Sequence, residues 1–325
     1  SLFNIKQLTK GNNMNNLKKV GLTALGTALV ASSAQAADFS ISATSQITLA
    51  GADNGNKGNG WSMSDSISFA ASGEMDNGFT ITHDVELDNT AIGFLALSVD
   101  TGDMGKLTFI GGSSTSVMGV WDDLTPSANE ESWGVGYAGT PDGMANGSAI
   151  THNIFTYDYT IMDGLALKAS YVPSHTTGAV EGSLDYGLKF TPSQIDGLTV
   201  YAAMGENNDA ANSADVSMAA VIYTAGALSV GYQVNETDFG TGTSDEDATM
   251  LGLSYALTDD LSVSVNTSVI DYEASSKDDQ EAQAISFSHT SGGMTISGTY
   301  GKMDNVAGTS CLLYTSPSPR DLRKS

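Results

Sequence analysis

The stretch Asp38-Phe39-Ser40-Ile41-Ser42-Ala43-Thr44-Ser45-Gln46-Ile47-Thr48-Leu49 decides the fold. Phe39, Ile41, Ala43, Ile47 and Leu49 hold one parity, and Ser40, Ser42, Thr44, Gln46 and Thr48 hold the other. Successive side chains of a β-strand point to opposite faces, so this is a strand with one oily and one polar face. An amphipathic helix would repeat its apolar residues about every 3.6 positions instead.

The same period returns down the chain. Phe79, Ile81, Val85 and Leu87 alternate with Thr80, Thr82, Asp84 and Glu86; Leu228, Val230, Tyr232 and Val234 with Ser229, Gln233 and Asn235; Leu261, Val263, Val265 and Val269 with Ser262, Ser264 and Ser268. The pattern predicts fifteen strands, near 38–50, 62–74, 78–88, 92–100, 106–111, 150–161, 165–173, 184–191, 198–206, 214–224, 227–236, 248–257, 260–271, 281–289 and 294–302. Tight turns at 76–78, 162–164, 258–260 and 291–293 take turns with longer connections at 51–61, 112–149, 174–183, 207–213, 237–247 and 272–280. Only 89–91 breaks that order.

A soluble sandwich has no reason to collect its long loops at one end and its short turns at the other. A transmembrane, antiparallel, up-and-down β-barrel does, and it closes so that no sheet edge is left bare in lipid. Bacterial single-chain barrels have an even number of strands, so sixteen are expected, the last one lost at the C-terminal end. The oily parity then faces lipid and the polar parity a wet lumen, with Tyr157, Tyr159, Tyr171, Tyr201, Tyr223, Tyr255, Tyr272 and Tyr300 as interfacial girdles.

Composition narrows the function. Of 325 residues, 37 are acids and 13 are bases, giving −24, the wrong sign for gripping nucleic acid. One cysteine makes neither an internal disulfide nor a cysteine-rich zinc site. Met14 to Ala36, with Lys18, Lys19, a short apolar core and Ala34-Gln35-Ala36, reads as a signal peptide, and residues 1–13 as an over-extended reading frame. Residues 311–325 hold both arginines and the cysteine and read as a non-native tail. Between Ala37 and Ser310 stand 36 acids (all but Asp321) and six lysines, a net charge of −30.

Three stretches together resemble the Gram-negative general porins of alphaproteobacterial type: the leader running into Ala37-Asp38-Phe39-Ser40-Ile41-Ser42, then Asp103 to Gly111, then Phe155 to Tyr171. The resemblance covers Met14 to about Ser310. It implies a homotrimer of 16-stranded barrels in outer-membrane lipid and lipopolysaccharide, each a water-filled channel with its third loop folded inward. Two features depart from the family's pattern: the span Ala37 to Ser310 has no arginine to set on the wall facing an acidic third loop, and the second external loop shrinks to Asn89-Thr90-Ala91.

The 112–149 connection is the longest and third in barrel order, and a loop of that length calls for a function. Its Asp122, Asp123, Glu130, Glu131 and Asp142 are the expected constriction acids, which would gather cations and repel anions. Lumen parity adds Asp84, Glu86 and Asp158 to the inner wall with Lys106, Lys168 and Lys189. No cofactor or metal motif is present, and the scattered histidines and serines show no nucleophile signature, so no enzyme is expected. The reading is a passive, cation-preferring outer-membrane porin for ions and small hydrophilic solutes; the alternative is a secreted or surface-attached acidic β-protein acting as an adhesin or structural layer.

Overall fold

The structure is a computed structural model that describes residues 38–49, 51–52, 61–112, 116–132, 153–174, 182–208, 213–239, 245–309 and 312–316. The signal peptide, Asp142 and most of the 311–325 tail lie outside the described residues. Strand follows strand: β1 (Asp38–Leu49), β2 (Gly51–Ala52), β3 (Trp61–Glu74), β4 (Thr80–Asp88), β5 (Ala91–Asp100), β6 (Lys106–Ile110), β7 (Ile154–Met162), β8 (Leu165–Val172) and β9 (Ser183–Phe190). Then come β10 (Leu198–Asn207), β11 (Ala214–Ala225), β12 (Leu228–Phe239), β13 (Glu246–Thr258), β14 (Leu261–Tyr272), β15 (Gln280–Ser291), β16 (Met294–Asp304) and β17 (Leu312–Ser316).

Each long strand pairs antiparallel with the next, from β1 and β3 round to β16, which makes fifteen long strands in one sheet. The closure is local. Lys302–Asp304 of β16 pair with Tyr314–Leu312 of β17, and Thr315 and Ser316 pair in turn with Ala52 and Gly51. In place of the expected sixteenth strand, main-chain groups of 312–316 bridge part of the gap, because ladder hydrogen bonds join backbone to backbone whatever the side chains. Short turns follow β3, β5, β7, β11, β13 and β15 at one end of the sheet, where 191–197 also joins β9 to β10; the two-residue turn after β4 lies at the other end. Gly164 takes φ 75°, and a Cβ there would collide with the Thr191 carbonyl, so that turn requires glycine.

Ladder rows fix the two faces, since directly opposed residues share a side. Tyr300, Ile285, Val265, Leu253, Val230, Tyr223 and Leu198 form one continuous row over β16 to β10. Ile285 is 62% and Val265 54% exposed. On the opposite face Gln233, Met250, Ser268, Ala282 and Met303 make another row, and all are buried. Polar side chains inside and large apolar ones outside invert the globular arrangement. A soluble monomer rarely exposes an apolar patch above roughly 300–600 Å²; an oily belt over seven strands belongs in hydrocarbon.

Two sequence expectations need correction. The inward parity is not uniformly polar: Met218, Met250, Ile270 and Met303 lie on it, buried against inner neighbours. Nor are all eight tyrosines girdle residues, because Tyr201 packs on Trp121 and Tyr272 is buried in the inner cluster around Met250. Inside this barrel something solid lies against the wall, and it needs apolar partners.

Candidate functional site

That solid element is the chain after β6. Gly111 and Gly112 donate to the Leu95 carbonyl at 2.8 and 3.3 Å and turn the chain off the wall. Ser116 then caps a single helical turn, Val117–Val120. The free N–H groups of that turn meet acceptors on the strands: Val117 N donates to Ser170 Oγ of β8 at 2.9 Å and Met118 N to Asp185 Oδ2 of β9 at 3.0 Å. Val117, Met118 and Trp121 bury themselves on Ala203, Val216, Met218 and Ala220, and the Trp121 ring meets Tyr201 edge-on at 5.2 Å.

Beyond Trp121 the loop travels across the inner faces of β12 to β16 on polar side chains. Asn235 Nδ2 donates to the Asp122 carbonyl at 3.0 Å, and Asn266 Nδ2 to the Pro126 carbonyl at 3.1 Å. Ala128 N donates to Ser264 Oγ at 2.8 Å and Asn129 Nδ2 to Thr299 Oγ1 at 2.8 Å. Ser286 Oγ donates to the Glu130 carbonyl at 2.8 Å, and Ser132 Oγ to Ser268 Oγ at 2.9 Å. Burying a hydroxyl or amide is tolerable only when it is hydrogen-bonded, and here the loop backbone supplies the partners.

Glycines cut the trough. Gly231 and Gly252 are ladder partners on β12 and β13, and a Cβ on Gly231 would strike Pro126, while one on Gly252 would come 2.7 Å from the Pro126 carbonyl. A Cβ on Gly187 would meet the Trp121 ring. Sequence reasoning missed these docking residues. Their only signal is Gln, Asn, Ser and Gly at inward positions of neighbouring strands, which on its own reads equally well as a wet wall.

Of the expected constriction acids, Asp122, Asp123, Glu130 and Glu131 lie within this docked segment. Burial pushes the Glu131 carboxyl up to about 7, helped by the negative charges of Asp123 and Asp122 and opposed by a backbone hydrogen bond. Asp123 is open to solvent yet hemmed in by protein, and desolvation raises it too, against a hydrogen bond shared with Asp122 and one from its own backbone. Burial and crowding thus hold both carboxyls towards their neutral form.

The wall acids and lysines fall into two places. Asp84 and Glu86 stand on β4, where Glu86 accepts from Ser68 Oγ at 2.9 Å. Asp100, Lys106, Asp158 and Lys168 follow one another along a single ladder row across β5 to β8, near the short-turn end. Lys168 Nζ bonds Asp158 at 2.8 Å, and Lys189 on β9 lies 5.6 Å from the centre of the Tyr201 ring.

Comparison with known proteins gives the lineage. The structure is similar to an anion-selective porin from Comamonas acidovorans, with a TM-score of 0.65 at 11% identity, over 88% of this chain and 99% of that one. A loop-deleted form of OmpT, an outer membrane protein of Vibrio cholerae, gives 0.66 at 16% identity over 88% and 99%. A triple mutant of Rhodopseudomonas blastica porin gives 0.63 at 14% identity over 88% and 100%. At these identities the likeness speaks for the barrel alone. No curated protein matches by sequence. The family model of Gram-negative porins does match, over residues 21–308, nearly the whole chain. A single-layer, inside-out barrel in a family of outer-membrane channels is no enzyme, and the adhesin alternative falls with it: this chain belongs to the Gram-negative porins.

Proposed function

We propose that the chain is a passive, cation-preferring diffusion channel for ions and small hydrophilic solutes, with the loop segment 116–132 setting its cut-off. The observation that carries the reading is the placement of Asp122, Asp123, Glu130 and Glu131 on a segment bonded to the inner faces of β12 to β16. Carboxylates at a narrowing raise the local cation concentration and exclude anions, most strongly at low salt. The Comamonas relative is described as anion-selective, so selectivity varies on this scaffold and must come from the charges lining each channel. Here 36 acids face six lysines between Ala37 and Ser310.

The remaining parts of the proposal follow from the same setting. The exposed apolar rows contact outer-membrane lipid and, at the long-loop rim, lipopolysaccharide; the functional unit is a homotrimer; and the chain is exported through a cleaved segment ending at Ala36. Reconstitution into planar bilayers tests the function. Stepwise ion-conducting insertions with a cation-biased reversal potential are expected; an electrically silent protein, or an anion-biased potential, would contradict it.

A further inference from the structure

A recess of about 650 Å³ opens at the short-turn end of the barrel beside Trp121, within the size range of small-ligand pockets. Three of the six lysines between Ala37 and Ser310, Lys106, Lys168 and Lys189, line it, together with Asp100, Asp103 and Asp158. In a barrel of net charge −30, this recess is balanced: three positive groups and three negative ones. Their signs alternate along the wall, because Asp100, Lys106, Asp158 and Lys168 oppose one another in turn on adjacent strands.

Only part of that charge is used internally. Lys168 and Asp158 hold each other at 2.8 Å. Among the described residues Lys106 and Lys189 make no ion pair, and both are exposed on the inward parity of β6 and β9. Asp103 is likewise exposed in the turn before β6, and Asp100 spends one carboxylate oxygen on Gly102 N at 2.9 Å, leaving the other. Two cationic and two anionic groups thus line one recess, Lys106 beside Asp100 on the neighbouring strand and Lys189 on the far side of the Lys168–Asp158 pair. A plain anion would satisfy the lysines and meet the aspartates as repulsion; a plain cation would meet the reverse.

We propose that this recess is a binding subsite for small zwitterions, solutes such as amino acids and short peptides that carry an ammonium and a carboxylate. The carboxylate lies against the free lysines lining the recess, the ammonium against Asp100 and Asp103, and any apolar side chain against Trp121. The proposal rests on the channel reading only for how such a solute arrives.

Ligand-observed NMR on the detergent-folded protein tests it with three probes: glycylglycine, N-acetylglycine (carboxylate only) and glycinamide (ammonium only). Glycylglycine is expected to bind at least about tenfold more tightly than either, the effect of one charge-assisted hydrogen bond. Lys106→Gln with Lys189→Gln, and separately Asp100→Asn with Asp103→Asn, should each weaken glycylglycine by about tenfold or more. N-acetylglycine binding as well as glycylglycine, or either double variant leaving affinity unchanged, would overturn the proposal. Binding without conduction in bilayers would count against the channel alone, and conduction without binding against the subsite alone.

Discussion

The buried Gln233 side chain and the backbone of Leu124 are locked together: Leu124 N donates to Gln233 Oε1 at 2.8 Å, while Gln233 Nε2 reaches the carbonyls of Trp121 and Asp122, both at 2.8 Å. One strand residue thus holds the loop where its acidic stretch begins. Gln233→Leu would strip the Leu124 N–H and the Trp121 carbonyl of their wall partner, a cost of about 1–3 kcal/mol for each that stays buried, while the Asp122 carbonyl keeps Asn235. The loop should loosen while the ladder stays intact. Single-channel recordings are expected to show larger current fluctuations, with little change in the heat resistance of the detergent-folded barrel; quiet wild-type-like currents would argue that the loop is held elsewhere.

The paired glycines give an independent handle on the same loop. Gly231→Val and Gly252→Val replace a residue that weakens a strand with one that suits it, so the barrel itself should not suffer. Pro126 would nevertheless be evicted from its slot. Solute uptake into liposomes should then change its size cut-off, whereas the same substitution at Gly73, where an added Cβ meets nothing within 4 Å, should leave it alone.

Glu131 predicts a pH dependence. Its carboxyl titrates near 7 because burial and the neighbouring aspartates hold the proton on. Above that pH the loop carries the extra negative charge, and below it the charge is lost. Cation preference should therefore weaken as pH falls from 8 towards 6, and Glu131→Gln should flatten that part of the curve. For stability the sign is opposite to that of a salt-bridged acid: a raised carboxyl favours the folded loop at low pH, and that contribution drains away as pH rises from about 4.5 to about 7.

The outer face can be tested by its cost to hydrophilic substitution. Ile285, 62% exposed on β15, sits within the oily row. Ile285→Lys should destabilise the lipid-folded protein by about 2–4 kcal/mol if the site lies near mid-membrane. In a soluble fold an exposed lysine would cost next to nothing. Equilibrium refolding into lipid vesicles measures the difference.

Most of the barrel was legible because a strand's period of two writes both faces into the sequence. Val263 and Val265 announced the lipid side; Ser264 and Ser268 announced the inner one. What that period could not say is what the inner residues touch. Ser264 bonded to Ala128 and a Ser264 facing open water have the same sequence, so the docking of 116–132 became visible only with the register in hand. Tyr201 and Tyr272 misled for a related reason: strand propensity and position near a strand end mark a tyrosine as interfacial, yet parity turns these two inward. The lysine row was legible residue by residue, but the adjacency of Lys106, Asp158 and Lys168 depends on which strands pair.

The most direct measurement is the zero-current potential across a planar bilayer under a potassium chloride gradient, for the unaltered protein and for one in which Asp122, Asp123, Glu130 and Glu131 are all replaced by their amides. The loop carboxylates should give the unaltered channel a cation-selective potential, and the fourfold replacement should drive it towards zero. An identical potential in both proteins would mean that these acids do not line the path of the ions.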